Sequence, residues 1–146
     1  HTGVGKTVCS ALIRKALNAY YFKPIQAGDL SNSDRIRVAR MSEANEEFLI
    51  PEWVKLNEPA SPHQAMQNEG KKYHLSELII PQGKYPLILE TAGGLFSPFD
   101  EENTMLDLIK KAGFPVVLVC NWYLGSINHS LLTYEVLKQN NIPFLG

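Results

Sequence analysis

The sequence predicts an α/β fold, with a doubly wound, mainly parallel sheet and helices on both faces. Three observations predict it. Residues 1–7 read HTGVGKT, a phosphate-loop (P-loop) pattern that joins a strand to a helix and makes the fold P-loop NTPase-like. Apolar runs of strand length, LILE at 87–90 and PVVLVC at 115–120, alternate with stretches of helical periodicity. These runs also lack polar alternation, which marks strands buried on both faces.

The elements follow in order. Residues 6–18 are predicted as a helix whose buried side carries Val8, Ala11, Leu12 and Ala16, with Arg14 and Lys15 turned to solvent. Residues 20–25 (YYFKPI) form a strand ended by Pro24. Residues 26–32 are a polar loop, and 33–42 a helix capped by Asn32 or Ser33. Prolines make long elements unfavourable across 43–62, which is expected to be irregular. Two short helices follow at 63–70 and 74–79. The α/β rhythm then resumes, with a strand at 86–90, a small-residue loop at 91–94, and a helix at 104–112 closed by Gly113. A strand at 115–120, a loop at 121–126, a helix at 127–139 and a last strand at 142–145 complete the chain. A P-loop normally follows a buried strand, so residues 1–146 are expected to be one P-loop α/β domain without its first strand and its C-terminal portion.

Composition narrows the function. The 146 residues carry a formal net charge of −1, and a non-specific nucleic-acid binder needs a basic face instead. No apolar run approaches the roughly 20 residues that span a bilayer. The expectation is therefore no nucleic acid, no membrane and a cytoplasmic location. Cys9 and Cys120 both sit in apolar stretches and are expected to be buried, unpaired thiols in a reducing compartment. His63, His74 and His129 lack cysteine or acidic partners at metal spacing, which argues against zinc.

Four features carry chemistry. In the P-loop, Gly3 and Gly5 let backbone N–H groups close around phosphate oxygens. Lys6 can reach the β- and γ-phosphates, and the Thr7 hydroxyl can ligate Mg²⁺. These features point to ATP or GTP with Mg²⁺. Glu90 ends a buried strand, where such folds place a carboxylate for Mg²⁺, and Ala92, Gly93 and Gly94 then bring backbone close. Lys23 stands at the tip of its strand, where it is either a solvated strand-end lysine or, facing the ligand crevice of an open sheet, a cation that holds an anion between itself and Lys6. Asp34 is either a helix-start acid or a second oxygen ligand for Mg²⁺.

HTGVGKT, FKPIQAG, NSD, EPASPH, LILETAGGLFSP and LGSINHSLLT, in this order, resemble the dethiobiotin synthetases, and they run over nearly the whole chain. The resemblance implies an ATP- and Mg²⁺-dependent cyclo-ligase acting on 7,8-diaminononanoate and CO₂. It implies that Gly3, Val4, Gly5, Lys6, Thr7 and Val8 wrap the phosphates. Thr7, Asp34 and Glu90 hold the metal, and Thr91, Ala92 and Gly93 line the nucleotide pocket. Lys6 and Lys23 bracket the transferring phosphoryl group, with Lys23 as the active-site lysine. It also implies a homodimer with substrate at the interface, where Ser126 and Asn128 receive the substrate carboxylate from the partner subunit. Ala27 stands where the family often has a substrate-binding serine, and Gln26 is the candidate to replace that contact. A partitioning-type ATPase, a nucleotide-dependent dimeric switch, is the alternative. It calls for a lysine early in the P-loop, where this chain has Thr2.

Overall fold

The computed structural model describes residues 2–146; His1, the first position of the P-loop pattern, lies outside them. Its centre is a parallel sheet in which β1 (Tyr20–Phe22) lies between β3 (Leu49–Ile50) and β5 (Leu87–Leu89). A second parallel pair joins β2 (Ile25–Ala27) to β4 (Val54–Leu56). Among the described residues the α-helices are α1 (Lys6–Leu17), α2 (Asp34–Ser42), α3 (Pro62–Asn68), α4 (Met105–Ala112) and α5 (Ser126–Gln139).

Successive residues of a strand point to opposite faces. Tyr21 accordingly enters one apolar cluster with Ala11, Val38 and Leu49, beneath α1 and α2. Phe22 enters the other, with Met66, Leu75, Phe99, Met105 and Leu108, beneath α3 and α4. The sheet is thus covered on both faces, as predicted.

The run read as one strand at 20–25 is two. Pro24 has no N–H, so the ladder breaks there. β1 pairs with β3 and β5, and the chain resumes as β2 against β4, from the last residue of that run into the stretch expected to be loop. The stretch expected to be irregular, 43–62, holds β3 and β4. Strands of two and three residues on either side of Pro51 are too short to leave a periodic signature. The helices expected at 33–42 and 104–112 agree with prediction more closely, whereas the one expected at 74–79 is a single 3₁₀ turn, Leu75–Glu77. Ser33 occupies the N-cap position of α2. Thr104 and Asp107 form a capping box at α4, and Gly113 closes that helix at φ 67°.

The largest correction concerns α1. Val8 and Leu12 are 49% and 65% exposed, and Ala16 is exposed too, whereas Arg14 is 4% exposed. Ala11 is the residue of that predicted side that packs into the core. Arg14 is held because its donors meet carbonyls at the ends of both helices. Nε donates to Ala19 O at 3.0 Å, Nη1 donates to Ser42 O at 3.4 Å, and the guanidinium lies 4.9 Å from the Phe48 ring centroid. Helix C-termini favour a cation, and the planar guanidinium stacks on an aromatic face. We expect Arg14→Ala to lower stability by about 2–4 kcal/mol, since it strands two buried carbonyls and opens a cavity. Chemical denaturation checks this, and a loss below about 1 kcal/mol would contradict it.

Residues 115–120 are also corrected. They contribute a single bridge, Val116 to Phe144, and the predicted strand at 142–145 is reduced to the same bridge. Between 116–119 and β5 lies a cavity of about 500 Å³, lined by Ile13, Leu17, Leu87, Leu89, Val117 and Leu137 among others. The two segments are therefore not hydrogen-bonded neighbours, and Val117 is 46% exposed. Cys120, expected to be buried, is exposed; Cys9 is half-buried, and both are unpaired. Among the described residues no helix is long and apolar enough to cross a membrane.

Candidate active site

Two parallel strands end side by side and present their last residues to one cleft. The Glu90 N–H donates to Phe22 O at 3.0 Å, which aligns the end of β5 with the end of β1. Lys23 follows β1 and Glu90 follows β5, so a cation and a carboxylate arrive together at the carboxyl edge of the sheet. Ligands of open α/β sheets sit there.

The third wall is the start of α1. Gly3 and Gly5 have φ of 77° and 100°, a region that glycine adopts without strain. Gly5 caps α1 without a side-chain hydrogen bond, and the first turn holds no acidic residue. The first N–H groups of a helix have no intrahelical acceptor, and with the helix dipole they attract anions.

The cleft has a volume of about 720 Å³. Lys6, Lys23, Arg37 and Arg40 line it, against the carboxylates of Asp29, Asp34 and Glu90. Four cations against three carboxylates suit a polyanion that brings a divalent cation with it.

The carboxylates are tightly held. Glu90 is 4% exposed and accepts three hydroxyls. Thr7 Oγ1 donates to its Oε1 at 2.9 Å; Ser10 Oγ and Tyr21 OH donate to Oε2 at 2.8 and 3.0 Å. Burial first, and then the Glu90 charge, push the Tyr21 hydroxyl far above its ordinary pKa, so it stays a donor. Asp34 forms a close ion pair with Lys23 and lies 3.7 Å from Arg37. Burial pushes the Asp34 carboxyl up, but the Lys23 bond and charge, a Thr7 hydrogen bond and Arg37 together hold it below the usual range. Lys6 is lowered from the ordinary lysine value, chiefly by burial. Glu90 opposes that shift, Lys23 adds to it and Asp34 opposes it. Two lysines near each other, balanced by two carboxylates, form the electrostatic centre of the cleft.

Thr7, Asp34 and Glu90 offer only oxygen donors, and the Thr7 hydroxyl donates to Glu90. That donor set fits Mg²⁺, which binds through one or two carboxylates and keeps several waters. Among the described residues no cluster of three His, Cys, Asp or Glu could hold a metal.

Comparison with known proteins agrees with this geometry. The family model described as an AAA domain matches residues 1–146. The chain is 44% identical over 146 residues to the ATP-dependent dethiobiotin synthetase BioD of Afipia carboxidovorans, covering 99% of this chain and 70% of that protein. It is 42% identical over 145 residues to the protein of the same name from Novosphingobium aromaticivorans, with 99% and 70% covered. For the one from Christiangramia forsetii the identity is 43%, over the same shares.

The chain belongs to the ATP-dependent dethiobiotin synthetase family.

Most residues that the dethiobiotin synthetase resemblance implied meet in this cleft. Gly3, Gly5, Lys6, Thr7 and Val8 line it from the P-loop, and Lys23, Ala27 and Asp34 from β1, β2 and α2. Glu90, Thr91, Ala92 and Gly93 line it from the end of β5. Val4 instead faces the apolar cavity behind the loop. Ser126 and Asn128, in the first turn of α5, are not among the residues lining the cleft. Gln26 lines the cleft, but its amide is used at both ends: Nε2 donates to Gly28 O at 2.9 Å, and Oε1 accepts from the Asp34 N–H at 3.3 Å.

Ser10, Tyr21, Arg37 and Arg40 were not singled out in the sequence. For the arginines a signal exists: Asp34, Arg37 and Arg40 recur at three-residue spacing, which places them along one side of α2. Ser10 and Tyr21 carry no such signal, because their role depends on Glu90, 80 and 69 residues away in the chain.

Proposed function

We propose that this protein is an ATP-dependent dethiobiotin synthase, a ligase of biotin biosynthesis that closes the ureido ring of dethiobiotin from 7,8-diaminononanoate, CO₂ and ATP. The observation that carries the reading is the convergence of Lys6, Lys23, Thr7, Asp34 and Glu90 in one cleft at the N-terminus of α1. Family membership supplies the substrates. A partitioning-type switch is not favoured, because the relatives named above are dethiobiotin synthetases.

In the proposed reaction, one substrate amine adds CO₂ and loses a proton to give a carbamate. A carbamate oxygen attacks the γ-phosphorus, and ADP leaves. The second amine then attacks the carbonyl of the resulting carbamic-phosphoric anhydride, inorganic phosphate leaves, and the amine loses its proton as the ring closes. Bond making falls on the substrates, so the protein contributes positioning and charge neutralisation. Backbone N–H groups of the loop at Gly3 and Gly5 and the start of α1 hold the phosphates. Lys6 neutralises the β- and γ-phosphates. An ammonium has three donors; the bond from Lys23 to Asp34 uses one of them, and the rest reach the carbamate and the transferring group. Thr7, Asp34 and Glu90 hold Mg²⁺, which when bound spreads the negative charge of the phosphates. Thr91, Ala92 and Gly93 form the wall facing the nucleotide and the carbamate.

We assign the substrate carboxylate to Ser126 and Asn128 of a second copy of the chain. Gly125 begins α5 with φ 95° and no side-chain cap, and Trp122, Leu124 and Ile127 around it are exposed. A helix N-terminus favours an anion, and exposed apolar side chains favour a protein partner. The cytoplasm, where ATP is available and unpaired cysteines persist, is the proposed setting.

The test is direct. The protein incubated with diaminononanoate, bicarbonate, ATP and Mg²⁺ is expected to yield dethiobiotin, ADP and phosphate in equal amounts. ATP hydrolysis without ring closure, or no product from folded protein, would refute the reading.

A further inference from the structure

Asp34 is reached by a support that lies outside the cleft. Ser33 occupies the N-cap position of α2, yet its hydroxyl makes no capping bond. It donates to Glu52 Oε1 at 2.9 Å instead. Glu52 comes from the connection between β3 and β4, and its side chain is 2% exposed. On the other side of Asp34, Arg35 Nε lies 3.5 Å from Glu52 Oε2, and Lys55 Nζ is equally near. Both residues flanking Asp34 therefore reach the same buried carboxylate, Ser33 by a hydrogen bond and Arg35 by an ion pair, while Arg35 Nη1 also donates to Glu46 Oε2 at 3.0 Å.

A buried ion pair is weak evidence for stability, because desolvation offsets much of the attraction. Here Arg35 Nε and Glu52 Oε2 are buried and complete no hydrogen bond, which makes the cost larger. A serine at an N-cap normally stabilises its own helix, and this one spends its hydroxyl elsewhere. Both features are unfavourable for α2 taken alone. They do fix the rotation and height of its first turn, the turn that carries Asp34.

We propose that Glu52 is a positioning residue. Through Ser33 and Arg35 it locks the first turn of α2, which holds the Asp34 carboxylate in the cleft that Thr7 and Glu90 also line. The proposal rests on the reading of Asp34 as a metal ligand. Its physical basis is general: partners behind a metal ligand set its orientation, and their loss weakens metal binding. Mg²⁺ is especially sensitive, since it demands near-ideal octahedral geometry.

The experiment titrates Mg²⁺ into the protein with a fluorescent ATP analogue held constant, and records thermal unfolding of each variant. Ser33→Ala removes the link with little loss of volume; Glu52→Gln removes the charge. Each is expected to raise the Mg²⁺ concentration for half-maximal binding about tenfold. The double variant is expected to rise little beyond the larger single effect, because both act on one turn. Turnover at saturating Mg²⁺ should stay within about twofold of wild type, since no group touching the reactants has changed. An unchanged Mg²⁺ midpoint in both variants, even with a lower melting temperature, would show a purely structural role and overturn the proposal. If Glu52→Gln does not fold, Ser33→Ala decides alone. Asp34→Asn is the reference: if it leaves the midpoint unchanged, the metal reading of Asp34 fails, and this proposal fails with it.

Discussion

Replacing Lys23 by alanine is expected to reduce kcat by about 10²–10³-fold, the usual cost of deleting one group that stabilises developing charge. Nucleotide affinity should change by less than about threefold. The two effects separate because of what Lys23 touches. Its side chain is 10% exposed, and its ammonium is paired with Asp34 at the tip of β1. Phosphate binding rests instead on the P-loop backbone and Lys6, which the substitution leaves in place. Loss of Lys23 also leaves Asp34 more negative toward Mg²⁺, with Arg37 at 3.7 Å still compensating part of that charge. Single-turnover ADP formation with diaminononanoate and bicarbonate, beside calorimetric titration with ATP, measures both quantities. Equal losses in turnover and binding would place Lys23 on the nucleotide rather than on the acceptor.

Glu90→Gln should be nearly as damaging, by a different route. Loss of one metal carboxylate is expected to lower kcat/KM for Mg·ATP by at least about 100-fold and to raise the Mg²⁺ requirement. The fold should tolerate the change. Glutamine keeps the volume, and its carbonyl oxygen accepts the Ser10 and Tyr21 hydroxyls that now bond to Oε2. We therefore expect a melting temperature within about 3 °C of wild type, less than about 1 kcal/mol for a chain of this size. Activity above about half of wild type at ordinary Mg²⁺ would exclude Glu90 from the metal site.

The two predictions differ in how legible their residues are in the sequence. Lys23 stands one residue before the proline that ends its strand, and Glu90 ends an unbroken apolar run. Both are thus located at strand tips by local pattern alone. Lys6 and Thr7 are legible for a similar reason, since glycine spacing and a helix start define the P-loop locally. The exposed Val8 and Leu12 show where the same reasoning fails. Periodicity identifies a helix, but it does not say which flank meets the sheet. In α1 a basic residue, Arg14, takes the buried place because Ala19, Ser42 and Phe48 offer it two carbonyls and a ring. Burial of an arginine depends on partners, and those partners come from other elements.

Local residue order by itself determined the α/β class, the helix starts at Thr104 and Ser33, the phosphate loop and the two strand-tip residues. Each depends on neighbours a few positions apart, through strand and helix periodicity, capping and glycine conformation. The tertiary structure decided the rest: the split of the first strand into two sheets, the short strands around Glu52, and the hydroxyls beneath Glu90. It also decided which predicted residues share the cleft, bringing Asp34 to Lys23 and leaving Val4, Ser126 and Asn128 outside it. The physical reason is common to all of these. A hydrogen bond or ion pair across tens of residues forms only when chain packing brings the groups within about 3 Å, and no local pattern of residues records that distance.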